Sequence, residues 1–568
     1  ALSTGTLSFS NRSFVTSSSL FGTGNAGSVD VEANQVEIVG LRNSPDPFNA
    51  DFTGISTSTR VGRGGDLRLM ANDVLVRDKG SLSSVSTGPG PGGDIHLQLG
   101  SGSLRVLDGG TVVASAFGAG PGGSIDVAAG SITVSGAGRF NGLADAGVSA
   151  IASQSGVGGG RAGNVSIAAQ SVNVLDGGRV STETFGAGDG GNISIAADAV
   201  LVSGANTSLR SALSSIPGTD PSAASSAIAA NSNRLALGDT ATGRAGSIRV
   251  AAPDIRLSDE GVISSKTSTP GAGGAVELVA DRISLMGGAQ VTGRSEGSSA
   301  GGKAGDVSIT ARDLFQVDAS AVTTAADQGQ GGTITVSAQR VELSNGALVS
   351  ATSDGPGDAG SVTIAAGRTF RSRNSVLTTD ALLADGGDIR VSATTVIHLV
   401  DSRITTSVRS GAGKGGNITI DPDFVILNNS QIRADAFGGP GGNVQIIANV
   451  LLTSGSIVSA SSALGVPGTI DVQASITDLS GNVSQLPQSA LQAAALLRAS
   501  CAARLAGGKL SSLVVSGRDG VPADPGGMLP SPVVGEVGPA LALVDGPRWM
   551  TLQGPALASR ALAHPCAR

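Results

Sequence analysis

A short phrase of small residue, glycine, polar, aliphatic, polar, aliphatic recurs along the chain from Ala26 to Val472. Its glycine stands at Gly27, Gly65, Gly93, Gly123, Gly163, Gly191, Gly246, Gly274, Gly305, Gly332, Gly360, Gly387, Gly416, Gly442 and Gly468. Most intervals between these markers are 26 to 31 residues, and three longer ones read as insertions near 43–63, 139–155 and 203–243. Two residues after each marker comes a branched aliphatic, from Val29 to Ile470, and four residues after comes another, from Val31 to Val472. The residue between them is polar every time, from Asp30 to Asp471. Apolar residues at period two on one side of a polar column predict a half-buried strand rather than a helix.

Each repeat holds two more short runs, such as Ser131–Ser135 and Arg179–Thr184. Three such runs in one repeat leave no room for a crossover helix, so the repeat is one turn of a coil. Stacked coils place every strand beside its counterpart one repeat later, in parallel and in register. The predicted fold is therefore all-β: a right-handed parallel β-helix of about fifteen coils, three short strands per coil, over residues 1–477. At ~4.8 Å per coil the stack is on the order of 67 Å long. Glycine-rich phrases at 117–123 (FGAGPGG), 185–191 (FGAGDGG) and 437–442 (FGGPGG) end the third strand, where positive φ is the expected reason for glycine. The polar residue after the marker, as in Asn164, Asn192, Asn417 and Asn443, predicts a stacked side-chain ladder at the turn.

After Val472 the repeat stops. Residues 478–508, with SALQAAALLRASCAARLAGG, predict a helical region capping the last coil, and 509–568 a Pro- and Gly-rich tail. Cys501 and Cys566 are the only cysteines. One disulfide between them is the expectation for a secreted chain, closing about 65 residues and adding roughly 4 kcal/mol; unlinked thiols are the alternative.

Composition sharpens this picture. The 568 residues include 86 Gly and no Tyr, with 2 % aromatics and 40 % hydrophobics, so the core is built of small aliphatics, as a narrow coil requires. The net charge of −7, with cations scattered singly, argues against nucleic acid as a partner. No apolar run reaches the length of a membrane-spanning helix. The three histidines, His96, His398 and His564, lie far apart, and His96 is read as a solvated face residue. The outward column Asp126, Ser166, Ser194, Arg249, Glu277, Ser308, Thr335, Thr363 has no sustained acidic pair. Tandem calcium-binding nonapeptides and a phosphate loop are also lacking, so no catalytic residue, metal ligand or cofactor is assigned. The insertions are the expected seats of specific contacts. The first carries Pro45, Pro47, Phe48 and Phe52; the longest, between Ser203 and Gly243, is read from its Ser/Ala content as a flexible or glycosylatable loop.

Two features resemble the filamentous-haemagglutinin-like large exoproteins of two-partner secretion systems. One is the repeat at Leu107 to Gly136 (LDGGTVVASAFGAGPGGSIDVAAGSITVSG) with its variants over 1–477; the other is Cys501 followed by LSSLVVSGRDGVPADPGGMLP at Leu510 to Pro530. Asp519 and Val521 depart slightly from the family's ending. The resemblance implies export through an outer-membrane β-barrel translocator, a secreted or cell-surface location, and a non-catalytic role in adhesion or cell contact with glycans or proteins of host, neighbouring cell or matrix. A polysaccharide-binding or polysaccharide-cleaving β-helix is the alternative. The family's N-terminal Asn-Pro-x-Gly type motif does not occur here, and the chain begins in mid-repeat, so the expectation is the C-terminal portion of a longer exoprotein.

Overall fold

The computed structural model describes residues 2–478 except 20, 42–51, 138–147, 157, 215–220, 235–240 and 298–300. The expected cap, the tail, Cys501, Cys566, His564, Pro45, Pro47 and Phe48 lie outside the described residues. What is described is a parallel β-solenoid of about sixteen turns, with one 22-stranded and one 15-stranded sheet. The turn beyond the fifteen markers is the first, Leu2–Ser10, which precedes Gly27 and pairs in register with Val29–Val39.

The three runs of each coil make two sheets rather than three. The first and second runs share the large sheet, as in the single strand Ile125–Ser135, while the third forms the smaller sheet, as in Arg179–Thr184. The corner between the first two runs is a phase change within the strand. In Ile334–Ser344 the buried residues are Ile334, Val336, Ala338, Val341 and Leu343, so one three-residue step interrupts the steps of two. The side-chain period of a strand is two, and a single extra residue turns the inward face through the corner. Elsewhere the corner breaks the strand in two, as at Pro253 and Pro422, where proline has no N–H to give the ladder.

Val307–Asp318 and Val362–Arg373 are each one residue longer, with register shifts at the corner. They are also the two strands that place a phenylalanine at the next inward position: Phe315 and Phe370 are 1 % and 0 % exposed, where other coils have aliphatics. The wider corner is filled by a larger side chain, as a close-packed interior demands.

Close approach, not positive φ, is what selects the marker glycines. None of them lies in the left-handed region, nor do the glycines of 117–123, 185–191 and 437–442, which corrects the reason expected from sequence. From Gly65 onward, a Cβ built on each marker would overlap the carbonyl oxygen of the marker one coil earlier. The same glycines face inward hydroxyls of the third run: Thr324, Thr379 and Thr406 Oγ1 donate to the carbonyls of Gly332, Gly387 and Gly416 at 2.8, 2.5 and 2.7 Å. The column is thus pinched between two backbones.

Left-handed backbone does occur, at the turn between second and third runs. Asn11, Asp78, Asp108, Asp176, Asp259, Asn345, Asn374, Asp401 and Asn429 hold it with φ between 47° and 55°, and Gly136, Gly204, Gly287 and Gly455 fill the same place in other coils. Asn, Asp and Gly tolerate this region best. Ala319, with φ 47°, is the exception in the column. Ala319→Gly is expected to stabilise the chain by about 1 kcal/mol by relieving the left-handed strain. A urea-unfolding midpoint that falls or does not move contradicts this.

Candidate functional site

The ladder predicted after the marker is present. Asp94 N–H donates to Asp66 Oδ1 at 3.1 Å, Asn192 N–H to Asn164 Oδ1 at 2.9 Å, Asn417 N–H to Asp388 Oδ1 at 2.8 Å and Asn443 N–H to Asn417 Oδ1 at 3.1 Å. Each side chain satisfies the backbone of the following coil, which is a structural use of these polar groups.

The outward column of the first run is aligned as predicted, from Asp126 through Ser166, Ser194, Arg249, Glu277, Ser308 and Thr335 to Thr363. It continues upstream as Asp30, Arg68 and His96. Neighbouring coils pair their charges: Arg68 lies 3.7 Å from Asp30, His96 Nδ1 lies 3.1 Å from Asp126, and Arg249 pairs with Glu277. His398 stands on the outward face of the second run, where burial and then Arg371 and Arg373 hold its pKa below the usual value. At the corner, Asp313 lies 3.1 Å from Arg340 and 3.3 Å from Arg282, and the Arg340 hydrogen bond is the main cause of its lowered pKa. No group of three His, Cys, Asp or Glu placed to hold a metal occurs among the described residues.

The insertions are narrower than their sequence bounds, because third runs lie inside them. Gly54–Ser56, Ala150–Ser155 and Ala227–Ala229 are strands of the smaller sheet. Phe52 of the first insertion meets Phe14 edge to face, with centroids 6.3 Å apart. The longest insertion departs from the flexible-loop reading over its described residues. Thr207–Ser214 is a helix, its first turn capped by Asn206 Oδ1, which accepts from Leu209 N–H at 2.8 Å. Leu213 is buried, and Arg210 Nη1 donates to Glu260 Oε1 at 2.8 Å. The signal was readable: Asn206 is a good N-cap, and Leu209 and Leu213 sit four apart.

The outer face of the smaller sheet is the feature the sequence reading missed. Its middle outward position runs Ser264, Thr292, Thr323, Ser350, Thr378, Thr405 over six consecutive coils. Although these side chains point away from the core, Ser264, Thr292, Ser350 and Thr378 are only 5, 8, 6 and 8 % exposed, so the row is a recessed floor. Thr323 Oγ1 bonds Thr292 Oγ1 at 2.9 Å, and Thr405 Oγ1 bonds Thr378 Oγ1 at 3.0 Å.

Charged residues line one side, two and four positions beyond the row. Lys266 Nζ is 3.5 Å from Glu296, Arg294 Nη2 is 2.8 Å from Asp327, and Arg409 Nη2 is 2.5 Å from Asp354. Burial opposes the charge on Arg294, but the Asp327 hydrogen bond and nearby carboxylates outweigh it and raise its pKa. The sequence reading aligned repeats on the first run only; alignment on the aliphatic before Thr292, Thr323 and Ser350 would have placed Glu296, Asp327 and Asp354 in one column.

Elsewhere among the described residues, an open hollow of about 380 Å³ lies beside Asp358, Asp385, Asp388 and Lys414. Among the described residues no helix is long and apolar enough to cross a membrane. The architecture is thus a β-solenoid with one recessed polar face, and comparison with family models, curated proteins and solved structures returned no match.

Proposed function

We propose that this chain is a secreted or surface-displayed solenoid rod that acts as an adhesin or cell-contact filament without catalysis. The observation that carries the reading is the uniform repetition of exposed hydrogen-bonding columns along sixteen coils, a long surface suited to many weak contacts rather than one reaction. The phrases that resemble those of filamentous-haemagglutinin-like exoproteins support it, and with it a β-barrel translocator as export partner.

A second reading, polysaccharide cleavage, is favoured by Asp327 and Asp354. They occupy equivalent positions in adjacent coils, whose backbones lie ~4.8 Å apart along the stack, and so put two carboxylates on one face, as glycosidases do. Each is held by an arginine, which suits a structural ion pair. Incubating the purified chain with cells and with immobilised glycans, and measuring both retained protein and released reducing ends, separates the two. Retention without release is expected. Release of sugar overturns the adhesin reading in favour of hydrolysis, and the loss of both signals removes both readings.

A further inference from the structure

We propose that the recessed face of the smaller sheet, from Ser264 to Thr405, binds a neutral polysaccharide chain lying lengthwise along the rod. This deepens the adhesin reading and rests on it.

The Ser350 hydroxyl is the starting point. Its residue is 6 % exposed at the middle of the floor and points outward; the backbone carbonyl accepts from Thr324 N–H, while the hydroxyl makes no hydrogen bond within the described residues. The hydroxyls on either side are already joined in pairs, Thr292 with Thr323 and Thr378 with Thr405, so Ser350 interrupts the chain of hydrogen bonds at its centre. A recessed hydroxyl left open toward a groove gains by meeting an external donor or acceptor.

Three further observations select the occupant. The hydroxyls recur once per coil, at ~4.8 Å, and six coils span on the order of 24 Å, which suits an extended polymer with one sugar residue per coil. Two positions before the row stand Val262, Ala321, Leu348 and Val376, half-buried and apolar, with Gln290 and Arg403 in the other two coils, so four of the six coils offer a C–H surface beside a hydroxyl. A sugar ring presents the same combination of apolar face and polar edge. On the other side, three cations are paired with three carboxylates and Asp380 adds a fourth carboxylate, which Arg403 two positions before Thr405 offsets, so the face as a whole has no net charge to attract an anionic polymer. A peptide adding as a strand would need free backbone groups, and those of the internal strands are committed to the coils above and below.

The test is affinity electrophoresis and calorimetry of the full chain with hydroxyethyl cellulose, laminarin and mannan as neutral polymers, and alginate and dextran sulfate as acidic ones. At least one neutral polymer is expected to bind. Ser350→Ala should weaken that binding several-fold, and Thr323→Val with Ser350→Ala and Thr378→Val by about tenfold or more. Thr335→Val and Thr363→Val, on the large sheet, should leave it unchanged, and the melting curve of each variant shows whether it has folded. If the triple variant misfolds, Ser350→Ala alone decides. Binding of acidic polymers only, binding that survives Ser350→Ala undiminished, or no binding to any polymer overturns the proposal. Cell adhesion that persists in those cases leaves the adhesin reading standing, with its contact surface elsewhere.

Discussion

Replacing Gly387 by alanine is expected to destabilise the solenoid by about 3 kcal/mol or more, a large loss for a substitution that adds one methyl group. The new Cβ would overlap the carbonyl oxygen of Gly360, which is backbone and has no rotamer to escape into. Moving Gly387 away is costly too, because its N–H donates to the Thr379 carbonyl at 3.1 Å and its carbonyl accepts from Thr379 Oγ1 at 2.5 Å. The coil must therefore open either toward its neighbour or across its own interior. Gly5→Ala is the control: nothing lies within 4 Å of a Cβ there and its φ is ordinary, so little change is expected. Urea unfolding followed by far-ultraviolet circular dichroism compares the two. A loss below about 1 kcal/mol at Gly387 would show that adjacent coils separate easily, contrary to the pinched geometry.

Phe370→Ala should cost about 3–5 kcal/mol, and Phe315→Ala a similar amount. Both side chains are fully buried, and both follow the extra corner residue of their strands, so truncation leaves a cavity where the coil is widest. They lie two coils apart with Val341 between them. At that separation of roughly 9.6 Å the losses should be close to additive. Because each coil contacts only its neighbours, the damage should be local: hydrogen exchange should quicken around residues 307–378 and change little near Leu67 or Ile95. Faster exchange spread evenly over all coils would contradict nearest-neighbour coupling and would identify the rod as a single cooperative unit.

The fold was legible because the same local rule is written many times. A single stretch such as Gly123-Ser-Ile-Asp-Val could be any half-buried strand, but fifteen copies at nearly constant spacing admit few arrangements other than stacked coils. The polar ladder after the marker was legible for the same reason, since Asn164 and Asn192 mark one column and bond as a column. The helix Thr207–Ser214 was masked by its Ser/Ala composition, although Asn206 and the two leucines carried the local signal. The recessed floor was harder to see. Ser264, Thr292 and Thr323 look like ordinary exposed strand residues until the depth of the groove is known, and depth comes from the coils on each side rather than from any residue's type.

The sequence by itself determined the strands, their inward faces, the coil repeat and the small-aliphatic core, because period and residue size act locally and recur. Tertiary structure decided why the markers must be glycine, where the corners fall, which runs share a sheet, and that Lys266, Arg294 and Arg409 neutralise Glu296, Asp327 and Asp354. Those outcomes depend on distances between residues about 27 or more positions apart in the chain, which are fixed only when one coil closes and the next is laid upon it.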